Sequence, residues 1–197
     1  MKIESPTRVL ANLVAETAFD DVPEEVVDKT KQVILDTIGC ALGGFVTDIG
    51  TISLGFIRSL GGHPECTVIG SGEKTSCVNA AYANARMANA LDADETYNFP
   101  SHHANATVAS SLACCELLKK SGKDLITSVA LGYDIACRVG ISMGPQWGPG
   151  GYAKVMGESA LMVFGATAGA AKAFGAEEEE AVNAFGVAGA NTPIPAA

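Results

Sequence analysis

Apolar residues along this chain recur mainly every three or four positions, the spacing of helices that bury one face. Ser5-Pro6 offers a cap followed by proline at the first helical position, and Val9, Leu10, Leu13 and Val14 continue the stripe, predicting a first helix. Pro23-Glu24-Glu25 opens a second, whose Val26, Val27, Val33, Ile34, Ile38 and Ala41 run to a Gly43-Gly44 stop. It reads as long and largely buried toward its C-terminal end. Thr51 to Leu60 reads as a third helix ending at Gly61-Gly62. Cys66 to Ile69 is the one short β-rich run, and one strand makes no sheet.

From Ser76 to Leu91 small residues occupy nearly every face, a pattern suited to close helix packing. The same composition returns at Val108–Lys119, Leu125–Val139, Ser159–Phe174 and Glu178–Ala190. The expectation is an all-α, Ala/Gly-rich domain of about eight helices spanning 1–197 as one unit. The Gly144–Gly151 stretch, GPQWGPGG, reads as a loop whose Trp147 is either its anchor or the wall of a ligand site. The apolar, proline-containing ending Asn191–Ala197 reads as a chain cut before its fold is complete.

A hydrophobic share of 48% is enough for a sizeable core, and a formal charge of -9 argues against nucleic acid, which needs clustered Lys and Arg. Six scattered cysteines show no CxxC or Cys/His ligand spacing, and four of them sit in apolar helical stretches as small hydrophobes, which suits a reducing, cytoplasmic protein. No apolar run approaches the ~20 residues of a membrane span. Ile69–Thr75, IGSGEKT, looks like a phosphate loop only superficially. Glu73 separates Gly72 from Lys74 and its carboxylate would repel phosphate, so a plain strand-to-helix turn is expected.

Ionisable chemistry concentrates in Leu91–Val108, LDADETYNFPSHHANATV, which holds two of only three histidines. Asp92, Asp94, Glu95 and Thr96 follow a small-sided helix, and carboxylates at a helix C-terminus face the unfavourable end of its dipole. Either this is an exposed acidic loop, or it supplies a carboxylate and an imidazole for proton transfer. A metal site is a rival reading of the same residues.

NAAYANARMANALDADET followed by HHANATV resembles the MmgE/PrpD family, in which an alanine-rich helix enters an LDxDDT-like motif and then a His-Pro-Ser-like segment. LDTIGCALGG, SGKDLITSVALGYDIACRVG and VFGATAGAAKAFG match further family segments in order, covering about residues 10 to 190. The resemblance implies the helical domain of that fold. It also implies proton transfer or bond cleavage beside a carboxylate of a small polyacid, as in 2-methylcitrate dehydratase, cis-aconitate decarboxylase and iminodisuccinate epimerase, with no metal or other cofactor.

By that resemblance Asp92 and His103 are the catalytic candidates and Thr96 a substrate contact. His103 keeps Ala104–Thr107 in register, whereas His102 fits equally well when counted from Thr96 and is held as a substrate-binding candidate. Three departures stand out. His103-Ala104-Asn105 replaces His-Pro-Ser, Glu95 stands where members often have Asp, and no histidine precedes the alanine-rich helix, leaving Tyr152 and Lys154 to donate a proton or bind a carboxylate there. The expected reaction is dehydration of a small di- or tricarboxylate, with epimerisation or decarboxylation as alternatives and a non-catalytic helical scaffold as the competing class. A homodimer is expected, with a second chain as a further source of the family's missing portion.

Overall fold

The computed structural model describes residues 5–97, 102–142 and 159–192. Among them eight α-helices run in the order α1 (Pro6–Glu16), α2 (Glu24–Phe45), α3 (Asp48–Leu60), α4 (Cys77–Ala88), α5 (Ala104–Leu117), α6 (Gly122–Ser142), α7 (Ser159–Phe174) and α8 (Glu178–Ala190). The all-α expectation holds. Pro6 sits at the start of α1 as read, but Ser5 makes no side-chain cap. Helix α3 begins three residues early because Thr47 supplies its cap, its hydroxyl accepting from Gly50 N at 3.4 Å.

The solitary strand is corrected to a pair: β1 (Cys66–Thr67) runs antiparallel to β2 (Lys74–Thr75), with Cys66 opposite Thr75 and Thr67 opposite Lys74. Two-residue strands carry too little alternation to read from sequence, and side chains of neighbouring helices supply what holds them. Buried Asn84 of α4 accepts from Ile69 N at 2.8 Å and donates to Thr67 O at 3.0 Å. Glu116 of α5 accepts from Thr67 N at 2.7 Å and pairs with Lys74. The IGSGEKT segment is the turn of this hairpin, and its Glu73 is paired to Arg58.

Helix α5 is buried on nearly every face, as a helix without an amphipathic stripe must be, and it forms the centre of the domain. Its Val108 joins Val33 of α2 and Val129 of α6 in one core cluster. A second cluster unites α1, α6, α7 and α8 through Val14, Ile135, Ala168 and Phe185. Backbones approach closely where glycines face them. A Cβ on Gly165 of α7 would stand 2.7 Å from Thr107 Oγ1, one on Gly169 would collide with Ser111 Oγ, and one on Gly44 of α2 would land on the Met87 carbonyl.

Helix α2 is not buried mainly at its C-terminal end. Its inward stripe of Val27, Thr30, Val33, Thr37, Ala41 and Gly44 runs the full length, while Leu35, Leu42 and Val46 lie exposed on the other side. Helix α6 is long and apolar enough, by length and composition, to cross a membrane, yet half of that stretch is buried inside the fold. All six cysteines are free, and burial pushes the thiols of Cys66 and Cys137 up to about 12 and Cys77 to about 11. They stay protonated at neutral pH, in keeping with a packing role.

Candidate functional site

The alanine-rich α4 ends at Asn89, and a turn closed by Asp92 N donating to Asn89 O at 3.1 Å carries the chain outward. Asp92 takes a left-handed backbone, φ 50°, which Asp tolerates better than most residues. Its side chain is 84% exposed. Asp94 turns the other way and is buried, accepting from Asn89 Nδ2 at 3.2 Å and Asn105 Nδ2 at 2.7 Å.

Glu95 ties the segment to three helices. Its carboxylate accepts from His103 N at 3.3 Å and Ala104 N at 3.0 Å, satisfying the first amides of α5, and it also accepts from the Tyr133 hydroxyl of α6. Its own N–H donates to Asp36 of α2 at 3.1 Å. Glu95 lies beyond the unfavourable end of α4, but it completes the favourable end of α5, so its position has a structural reason that the sequence order hides.

The adjacent histidines part company. His102 Nδ1 lies 3.0 Å from the Glu95 carbonyl oxygen and 3.5 Å from Thr96 Oγ1. Because a carbonyl only accepts, Nδ1 carries the proton in this arrangement, and the neutral ring keeps its lone pair on Nε2. Nε2 faces Asp92 Oδ1 at 3.6 Å, while Nδ1 is 3.6 Å from Asp94 Oδ1. His103 is fully buried, edge-on to Tyr133 at 6.0 Å between ring centroids, and neither ring nitrogen has a hydrogen-bond partner among the described residues. Burial, with the neighbouring His102 second, lowers its pKa to about 4, so it is neutral at neutral pH.

Asp92 and His102 share a pocket of about 510 Å³ with Arg86 and Asn89 from the end of α4, Asn105 from α5 and Met162 from α7. Thr96 reaches His102 from behind. It lines a separate cleft of about 620 Å³ between α2 and α6, with Lys29, Tyr97 and Tyr133. The expected group is thus split: Asp92 and His102 meet, Thr96 backs the imidazole, His103 lies in the core, and Tyr152, Lys154 and Trp147 fall outside the described residues. Sequence reasoning missed Arg86, Asn89 and Asn105. The first two were findable, being three apart on the last turn of α4 and therefore on one face.

One donor atom each from Asp92, Asp94 and His102 lie within 4.8 Å of one another, the residue types of a cation site. The nearest contact of each carboxylate is to a different imidazole nitrogen, Nε2 for Asp92 and Nδ1 for Asp94, both at 3.6 Å, and Nδ1 also lies 3.0 Å from the Glu95 carbonyl oxygen. What the arrangement does supply is a lone pair beside an exposed carboxylate, its tautomer fixed by a backbone carbonyl: a proton acceptor when neutral and a donor when charged.

The chain is 29% identical over 189 residues to a cis-aconitate decarboxylase of Aspergillus terreus, an alignment covering 92% of this chain and 38% of that protein. It is 28% identical to a cis-aconitate decarboxylase-like protein of Aspergillus oryzae, covering 92% and 39%. It is 24% identical over 144 residues to the human cis-aconitate decarboxylase, covering 71% and 30%. The chain therefore spans less than two fifths of the length of these relatives. With the MmgE/PrpD N-terminal domain matched over residues 8–196, and the LDADET segment carrying the Asp92–His102 pair at the head of the central helix, this chain belongs to the MmgE/PrpD family.

Proposed function

We propose that this chain carries part of the active site of a lyase acting on a small di- or tricarboxylate, with His102 as the proton-transferring group and Asp92 as the carboxylate that steadies its charged form. The observation that carries the reading is the oriented imidazole: Nδ1 against the Glu95 carbonyl and Nε2 toward Asp92 at the mouth of a pocket. His102 takes the acid/base role in place of His103, because a fully buried ring with a pKa near 4 neither meets substrate nor accepts a proton at neutral pH. Thr96 stands behind the ring as an orienting hydroxyl.

Decarboxylation comes ahead of the dehydration expected from the sequence, since the relatives carry that name. In a decarboxylation, carbon dioxide leaves and the electron pair left on the substrate's carbon framework takes a proton from His102 Nε2–H. In a dehydration, neutral Nε2 takes the proton alpha to a carboxylate and returns it to the hydroxide departing from the next carbon, so that water leaves and the ring ends neutral. Both use the same ring in opposite starting states.

The test is turnover of cis-aconitate and 2-methylcitrate by the full chain, followed by proton NMR and carbon dioxide release. His102→Gln and Asp92→Asn are expected to lower the rate about 100-fold or more with the helical content retained, while His103→Leu keeps it within a few-fold. Near-normal turnover in His102→Gln, measured in the protein that holds this chain together with the rest of the active site, would sink the reading.

A further inference from the structure

We propose that Arg86 is the carboxylate anchor of this pocket, and that it sets a preference for substrates bearing one carboxylate more than the reaction itself requires. The inference rests on the polycarboxylate reading above and adds the group that makes such a ligand tolerable. A polyanion approaching His102 meets Asp92 at the rim, with Asp94 just behind the ring, in a chain whose formal charge is already -9. Each carboxylate repels it, and a pocket lined with these groups alone would exclude it.

Among the described residues lining the pocket, Arg86 is the one permanent cation, and among the described residues it forms no ion pair. The other arginines that pair do so on the surface, Arg8 with Glu178 and Glu179, Arg58 with Glu73 and Arg138 with Asp134. Arg86 lies one helical turn before Asn89, on the α4 face that carries the chain to Asp92, so Arg86 and His102 border one space. A planar guanidinium binds a carboxylate through two parallel N–H donors, which fixes the ligand's orientation as well as its charge. The wall between them is apolar, with Ala85, Ala106 and Met162 suited to the carbon chain of a short polyacid. Asn89 and Asn105 each give one of their two amide N–H groups to Asp94, and neither carries charge, which leaves Arg86 as the permanently cationic donor of the pocket's described lining.

A structural alternative exists, since a cation in the last turn of α4 also complements the helix dipole. The experiment separates the two. The full chain, unaltered and as Arg86→Gln and Arg86→Lys, is titrated with tricarballylate, an unreactive tricarboxylate, and with succinate, with binding read by calorimetry and by the His102 imidazole NMR signal. Thermal melting is recorded for each. Arg86→Gln is expected to weaken tricarballylate about tenfold and succinate far less, narrowing the gap between the two ligands, with the melting temperature held. Arg86→Lys, which keeps the charge at the helix end, is expected to fall between and serves if the glutamine variant folds poorly. In turnover the same variants are expected to raise KM with kcat nearly unchanged. Equal tricarballylate affinity in the unaltered chain and both variants, or a loss that follows melting temperature alone, overturns the role of Arg86 and leaves the polycarboxylate reading standing. Failure of the unaltered chain to bind either acid overturns both.

Discussion

Two neighbouring histidines with the same covalent neighbourhood end in opposite environments, and the difference lies in where α5 begins. His103 is the residue just before the helix, packed inward on Tyr133, while His102 stays outside on the Glu95 carbonyl. The sequence offered both as the pocket histidine, and register alone left them tied. The start of the central helix, with Glu95 accepting from its first amides, sets His102 against the pocket and His103 in the core. The buried ring makes a pH prediction. Its folded pKa of about 4 lies below the ordinary 6.5, so the unfolded chain binds the extra proton first. Above pH 6.5 both states hold the ring neutral and the fold is not penalised; as pH falls from 6.5 toward 4 the fold loses stability progressively, about 3 kcal/mol in all. Urea unfolding of the unaltered chain and His103→Leu at pH 7 and pH 4.5 checks it. The variant is expected to match or exceed wild-type stability at pH 7, because two unpartnered ring nitrogens are removed, and to lose less on acidification.

At the level of elements, helical spacing and glycine stops marked α1, α2 and α3, and a run of small residues marked α4 to α8, so the eight helices of the described residues were all legible. The hairpin escaped because its two-residue strands depend on Asn84 and Glu116, which are distant in sequence. Composition also marked α5, α6 and α7 as close-packing helices without saying which glycine meets which hydroxyl. The structure sets Gly169 against Ser111 and Gly165 against Thr107. Gly169→Ala is expected to cost about 1–3 kcal/mol by overpacking this seam, although alanine is the better helix former in isolation. Adding Ser111→Ala removes the struck oxygen and is expected to recover at least half of that cost in the double variant. Chemical denaturation of the three variants measures the coupling.

Across the whole molecule, the outer faces of α2, α3 and α4 leave Leu35, Leu42, Val46, Ile52, Phe56, Leu60 and Val78 exposed, with Phe56 edge-on to Tyr82. A face of this apolar content is the kind that association covers, and the family resemblance implies a homodimer. Sedimentation at micromolar concentration is expected to show a dimer, and Ile52→Glu with Phe56→Glu to shift it to monomer with the helical content intact. The site itself was legible as a region and not as a constellation. The cluster of ionisable residues is local in sequence, whereas the pocket that gives it a partner is assembled from the ends of α4, α5 and α7.

Glu95 joins these scales in a way that can be watched. Its carboxylate accepts from the amides of His103 and Ala104 and from the hydroxyl of Tyr133, and its backbone N–H donates to Asp36. The two α5 amides therefore exchange with solvent deuterium only when this knot opens, and the same opening releases the carbonyl that orients His102. Their exchange rates give a clock for how long the imidazole stays aimed, readable without a substrate and independent of whether the rest of the helix frays.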